Sequence, residues 1–266
     1  LWHTLSLHDA LPISVILAAK VLRKPIVLCE QNILPGITNR LLSRFADQIF
    51  ISFPDTQRLN PAKALYTGNP VRKELLEACD KIREDRERFF TILVLGGSQG
   101  AHPINTAMME AVKHLDKIKD LRIVHQTGQA DEKRVIISYE QKGINFEVKP
   151  FFKNMAGVYE PADLVVCRAG ATTVAELTAL GKPAIFIPYP HAADNHQELN
   201  ARSLWNKGAS EMILQKELSG HLLAKKISKL AEDRRRLARM AETAKLSGKP
   251  EAAAIIVDNC YRIING

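Results

Sequence analysis

Two segments constrain this chain more than any others. Thr91-Ile92-Leu93-Val94-Leu95 runs into Gly96-Gly97-Ser98-Gln99-Gly100-Ala101, and Asp163-Leu164-Val165-Val166-Cys167 runs into Arg168-Ala169-Gly170-Ala171. In each, a compact apolar run gives way to a turn of small residues and then to a helical pattern. An apolar run without polar alternation belongs in a parallel sheet covered on both faces. Parallel strands need crossovers, so the fold class is α/β and doubly wound. Turns of this kind direct backbone N–H groups and helix N-termini at an anion, and a nucleotide pyrophosphate suits them.

The remainder of the chain extends the pattern. Apolar runs at 91–95, 122–126, 145–149, 163–167, 184–188 and 210–214 alternate with helical segments, which predicts a complete doubly wound domain over 91–248. Residues 225–244 read as one amphipathic helical stretch whose basic side chains (Lys225, Lys226, Lys229, Arg234, Arg235, Arg236, Arg239) form a solvated face. Pro250 precedes a final helix, and residues 249–266 are expected to pack back on the N-terminal domain. Upstream, strands at 25–29, 48–51 and 64–66 with a helix at 38–45 predict a parallel sheet, over 15–78, that lacks its first strands. Residues 79–90 are dense in charge and read as a linker. Residues 1–14 contain no Lys or Arg, resemble translated synthetic-adapter sequence and read as a foreign segment.

Composition excludes little and selects less. A formal charge of +8 admits nucleic acid, anionic lipid or phosphorylated small molecules as partners. No RNA-type aromatic motif or zinc spacing accompanies the charge, so nucleic acid is not expected. No apolar run approaches membrane-spanning length, which leaves peripheral attachment open. Cys29, Cys79, Cys167 and Cys260 are widely spaced and read as free thiols in a reducing cytoplasm.

Several side chains have two readings. Gly97 and Gly100 allow positive φ and close approach to an oxyanion, with Gln99 between them and Ser98 adding a hydroxyl, yet the same turn can be a ligand-free strand–helix connection. It matches neither the P-loop nor the G-x-G-x-x-G fingerprint. Thr173-Val174-Ala175-Glu176 fits a capping box, while a carboxylate there is also placed to accept ribose hydroxyls. In the segment 189–200, Asp194 reads as a helix N-cap, and His191 and His196 lack metal-ligand spacing; no metal and no cofactor are expected. Arg72 is either a phosphate fork or an ordinary surface arginine.

Seven ordered blocks carry a resemblance: Cys29-Glu30-Gln31-Asn32, Thr67-Gly68-Asn69-Pro70-Val71-Arg72, the 96–101 turn, His125-Gln126-Thr127-Gly128, Phe151-Phe152-Lys153-Asn154-Met155, residues 167–176, and His196-Gln197 to Asn200-Ala201. Together they resemble the MurG family of GT-B glycosyltransferases, which move N-acetylglucosamine from UDP-GlcNAc onto undecaprenyl-pyrophosphoryl-MurNAc-pentapeptide. The resemblance implies two Rossmann-like domains, the N-terminal, acceptor-side one incomplete, and a donor-binding C-terminal one. It implies Ser98 and Arg72 at the diphosphate, with Gly97, Gln99 and Gly100 beside them, and the backbone of Phe152 at the uracil. Arg168, Gly170, Ala171, Thr172, Thr173, Val174 and Ala175 would line phosphate and ribose, Glu176 would hold the ribose hydroxyls, and Gln197 and Asn32 would reach the sugar. The implied partners are UDP-GlcNAc, the lipid-linked acceptor and an anionic membrane surface, at the cytoplasmic face of the bacterial plasma membrane. The implied chemistry is an inverting displacement by the muramyl 4-hydroxyl.

The family's glycine-rich loop Gly-Gly-Thr-Gly-Gly-His has no counterpart in these residues, so the catalytic base is unassigned. The expectation is therefore donor binding with impaired turnover. Another GT-B glycosyltransferase, a UDP-GlcNAc 2-epimerase and a non-catalytic UDP-sugar-binding module are the alternatives.

Overall fold

The computed structural model describes residues 7–79, 89–97 and 99–265. It divides into two compact units, one running to Pro70 and joined by the residues from Lys249 onward, the other Val71–Gly248. Most of the charge-dense segment read as a linker, residues 80–88, lies outside the described residues.

The first unit contains helix α1 (Leu7–Val21), strand β1 (Val27–Glu30), helix α2 (Ile37–Leu42), strands β2 (Gln48–Ile51) and β3 (Ala64–Tyr66), and the C-terminal helix Ala252–Asn265. Its three strands are parallel in the order β1-β2-β3, with Cys29 opposite Phe50 and Phe50 opposite Leu65. β1 starts after Pro25, which has no N–H to give a ladder. Ile26, Leu28, Leu42, Ala46, Ile49 and Ile51 form its core, and Ile13 and Ile16 of α1 pack against it. α1 thus begins inside the stretch read as foreign, and Ile13 of that stretch joins the packing. Lys249 lies over the Tyr66 ring, 5.0 Å from its centroid.

The second unit runs α3 (Lys73–Cys79), β4 (Phe90–Leu95), α4 (His102–Ala111), β5 (Leu121–Gln126), α5 (Glu132–Glu140), β6 (Asn145–Lys149) and α6 (Met155–Tyr159). It continues with β7 (Leu164–Cys167), α7 (Ala171–Ala179), β8 (Ala184–Phe186), α8 (His196–Asn206), β9 (Ser210–Met212), α9 (Gly220–Glu232) and α10 (Arg234–Ser247). Six parallel strands stand in the order β6-β5-β4-β7-β8-β9. Every residue of β4 is buried, as befits a central strand covered on both faces. The order reverses direction between β4 and β7, and α/β sheets bind ligands at such a switch point.

The stretch expected as one amphipathic helix is two. Asp233 leaves helical geometry (φ −97°, ψ 77°), and its side chain accepts a hydrogen bond from the Arg236 N–H at 2.9 Å, so it caps α10. The basic face is also not uniformly solvated. Lys226 and Arg236 both hold the buried Glu211 carboxylate, Lys226 at 2.5 Å.

A buried polar chain crosses the core of this unit. His125 Nε2 meets Asn105 Oδ1 at 3.0 Å, and His125 Nδ1 meets the Tyr139 hydroxyl at 2.8 Å. Because an amide oxygen only accepts, Nε2 carries the proton and Nδ1 accepts from Tyr139, which is the neutral imidazole. Asn105 Nδ2 donates to Thr127 O and to Asp131 Oδ2, each at 2.9 Å. Burial of Asp131 alone would raise its carboxyl, but the Asn105 and His102 hydrogen bonds and the neighbouring cations bring it below its ordinary value. Burial of His125 lowers it to about 3.

His125 makes stability pH-dependent. Unfolded, its imidazole protonates near pH 6.5; folded, it refuses the proton until about 3. Its contribution is therefore full above 6.5 and falls by about 1.4 kcal/mol per pH unit as the pH drops towards 3. Urea unfolding at a series of pH values should show this slope, and His125→Gln should flatten it. An equal slope in both chains would show that His125 is not its source.

Candidate functional site

The site grows from one ladder pairing. Leu95, the last residue of β4, is the register partner of Cys167, the last residue of β7. The chain therefore leaves the sheet at Gly96 and at Arg168 side by side, at the switch point. Both turns lead directly into helices, α4 with Ala101 as N-cap and α7 with Gly170 as N-cap, and neither cap residue supplies a side-chain hydrogen bond. A Cβ placed on Gly170 would meet nothing within 4 Å, so the α7 terminus opens on free space. N-terminal amides presented this way, with the helix dipole behind them, favour an anion.

The first turn is held by backbone interlocking. Gly97 and Gly100 have φ of 81° and 77°, a region that favours glycine. A Cβ on Gly100 would lie 2.0 Å from the Thr127 carbonyl oxygen, and one on Gly128 would lie 2.5 Å from that of Gln99. Gln126 joins this turn to the next segment: its Nε2 donates to the Gly97 carbonyl at 3.0 Å, and its Oε1 accepts from the Phe152 N–H at 3.0 Å. Ser98, expected to face the diphosphate, lies outside the described residues.

Glu176 is buried within this unit, and both its oxygens are engaged. Arg72 Nη2 donates to Oε1 at 2.9 Å, and the Tyr159 hydroxyl donates to Oε2 at 3.0 Å. The capping-box reading fails because α7 starts at Ala171, which makes Thr173 its third helical residue rather than its cap. Arg72 is half-exposed, and its guanidinium closes on Glu176. Burial, and then the Glu176 charge, push the Tyr159 phenol well above its ordinary range, so it stays a donor. Of the remaining α7 residues, Thr172 is exposed while Val174 is buried in the core, so only the backbone of Val174 can serve a ligand.

Phe152 is buried at the start of a groove of about 480 Å³ lined by Glu147, Lys149, Phe151, Lys153, Asn154, Gly157 and Val158. Its N–H is taken by Gln126. Arg168 is committed to structure: it donates to the carbonyls of Ile187 and Pro188 at 3.0 and 3.2 Å and to Gln215 Oε1 at 2.6 Å. Gln197 Oε1 accepts from the Tyr189 N–H at 3.0 Å, which leaves its amide nitrogen to donate. The α8 N-cap is Asn195, in left-handed geometry, instead of the expected Asp194. Asn32 belongs to the first unit, where its N–H donates to Glu30 Oε1 at 2.9 Å.

Gln126 and Tyr159 were missed as individual residues in the sequence reading. The available signal was a buried-strand pattern ending in an amide, and a tyrosine closing a short apolar helix. Neither signal names a partner.

Comparison with known proteins finds relatives in both sequence and structure. Residues 91–256 match the glycosyltransferase family 28 C-terminal domain, and residues 9–51 match the family's N-terminal domain. That second match starts inside the segment read as foreign. Over 247 residues the chain is 47% identical to the UDP-N-acetylglucosamine–N-acetylmuramyl-(pentapeptide) pyrophosphoryl-undecaprenol N-acetylglucosamine transferase of Geobacter metallireducens. The protein of the same name from Geobacter sulfurreducens is 48% identical over 247 residues. Each alignment covers 91% of this chain and 68% of the relative. The crystal structure of Acinetobacter baumannii MurG matches with a TM-score of 0.79 at 32% identity, over 93% of this chain and 70% of that one. A UDP-GlcNAc 2-epimerase from Neisseria meningitidis, bound to UDP-GlcNAc, matches at a TM-score of 0.64 and 16% identity over 94% of this chain and 72% of that one, a likeness of fold alone.

The two glycine positions should respond differently to a methyl group. Gly100→Ala sets a side chain in left-handed geometry against a backbone carbonyl and should cost at least about 2 kcal/mol in urea unfolding. Gly170→Ala places the methyl in open space at ordinary φ and should cost less than about 1 kcal/mol, the usual loss at a helix cap. Equal costs would contradict the interlocked turn.

Proposed function

The chain belongs to the MurG transferases of glycosyltransferase family 28, and we propose that it acts in the reaction its relatives are named for. That reaction moves N-acetylglucosamine from UDP to the undecaprenyl-pyrophosphoryl N-acetylmuramyl-pentapeptide. The observation that carries a donor-binding role for these residues is the emergence of two uncapped helix N-termini side by side at the sheet's switch point.

In this reading the diphosphate of UDP-GlcNAc lies against the 96–101 turn and the α4 terminus. Glycines there let backbone N–H groups approach the oxygens closely, and the helix dipole favours the charge that grows as UDP leaves. Losing one such donor typically raises the barrier by about 3 kcal/mol. Glu176 accepts the ribose hydroxyls, Arg72 beside it faces the diphosphate, and the groove at Phe152 takes the uracil. Gln197 is oriented by the Tyr189 backbone and offers its amide to the sugar.

The acceptor 4-hydroxyl attacks the anomeric carbon from the side opposite UDP, and the new linkage is inverted. We assign no base to this chain, because its sequence contains no glycine-rich loop with a histidine of the family's kind. Donor binding is the activity proposed for these residues. A lipid-linked acceptor places the work at the cytoplasmic surface of the membrane. Among the described residues no helix is long and apolar enough to cross it.

Calorimetric titration with UDP-GlcNAc, with UDP-glucose and dTDP as controls, tests this reading. Selective binding of UDP-GlcNAc is expected, and Glu176→Ala should weaken it at least about tenfold, the worth of hydrogen bonds to a charged group. A cooperatively folded chain that binds none of the three would overturn the donor assignment.

A further inference from the structure

Glu176 is held from two sides that differ in kind. On one side Arg72 reaches Oε1 from a half-exposed position, its side chain 53% exposed. On the other, the Tyr159 hydroxyl reaches Oε2 at 3.0 Å from a ring that is only 1% exposed. A carboxylate on a buried helix turn can rotate about its last torsion, and the oxygen it offers to a ligand depends on which oxygen is already held. With Oε2 taken by the buried Tyr159, Oε1 is the oxygen on the side of the half-exposed Arg72. It has two lone pairs, so a ligand hydroxyl can join or replace Arg72 there.

Tyr159 is also the last residue of α6, the helix that follows the Phe152 groove. Asn154 caps that helix by accepting from the Gly157 N–H at 3.1 Å, and Asn154, Gly157 and Val158 line the groove. The element that walls the groove therefore ends in the hydroxyl that orients Glu176. Burial keeps this phenol protonated, so it donates at any working pH.

We propose that Tyr159 is a positioning residue for donor recognition: its hydroxyl fixes Glu176 so that one carboxylate oxygen meets the ribose diol, tying ribose recognition to the base groove through α6. The proposal rests on the donor-site reading above and adds to it a residue that touches no substrate. Its consequence is discrimination between ribose and deoxyribose nucleotides, because a loosely held carboxylate accepts from two vicinal hydroxyls less well than a fixed one.

The test compares UDP with 2′-deoxy-UDP by calorimetric titration of the full 266-residue chain, before and after Tyr159→Phe. The unmodified chain should prefer UDP. Tyr159→Phe, which removes one oxygen from a buried ring, should shrink that preference about tenfold, the typical worth of one hydrogen bond to a charged group. Affinity for 2′-deoxy-UDP should change little. Incorporating p-aminophenylalanine at position 159 returns a donor to the same place and should restore the preference.

A folded Tyr159→Phe chain with an unchanged ratio overturns the proposal. So does a parallel loss of both affinities with a lowered Tm, the signature of a structural role. If the unmodified chain binds both nucleotides equally, the donor-site reading itself fails, and the proposal with it. Should Tyr159→Phe not fold, the unmodified chain still answers through the 13Cζ resonance of Tyr159. UDP should shift that resonance more than 2′-deoxy-UDP does, and equal shifts overturn the proposal.

Discussion

The parallel pairing of β4 with β7 is the constraint on which the rest of the site depends. Neither strand carries a functional side chain, and both are buried along their length. Their register nevertheless decides that Leu95 and Cys167 end together. From that single match follow the adjacency of the glycine turn and the α7 terminus, and the convergence of two helix dipoles. A slip of register would part the two turns and turn every side chain of one strand to the opposite face, burying different residues.

Around that frame, the site is positioned mainly by groups that a ligand need never touch. Gln126 spans the gap between the Gly97 carbonyl and the Phe152 amide. Asn105 links α4 to the Thr127 carbonyl and to Asp131. Arg168 ties the end of β7 to the carbonyls that follow β8. Each satisfies at least one buried backbone group, which would otherwise cost about 1–3 kcal/mol.

Legibility in the sequence follows the range of the interaction concerned. The strands of both units could be read because a buried parallel strand announces itself locally, as an unbroken apolar run ended by a turn. Gly97 and Gly100 could be read for a similar reason, since positive φ leaves few alternatives to glycine. The join of α9 and α10 was harder. Asp233 caps the second helix, yet the amphipathic period continues through it, so the pattern alone shows no break. Thr173 and Glu176 have capping-box spacing, and only the true start of α7 at Ala171 removes that reading. Arg168 stands in a motif of ligand-lining residues while its guanidinium is bound to carbonyls nearly twenty residues away. Spacing cannot distinguish these cases, because the partner is not nearby in the chain.

The sequence by itself determined the α/β class, the strand positions, the two turns able to hold an anion and, through seven ordered blocks, the family. These depend on hydrophobic period, backbone conformational preference and local order, all of which act over a few residues. The tertiary structure alone decided that Arg72 and Tyr159 share Glu176, and that Gln126 bridges the glycine turn to Phe152. Those partners are brought together by crossovers through the sheet, and a hydrogen bond between residues 104 apart in sequence leaves no periodicity by which either could be recognised.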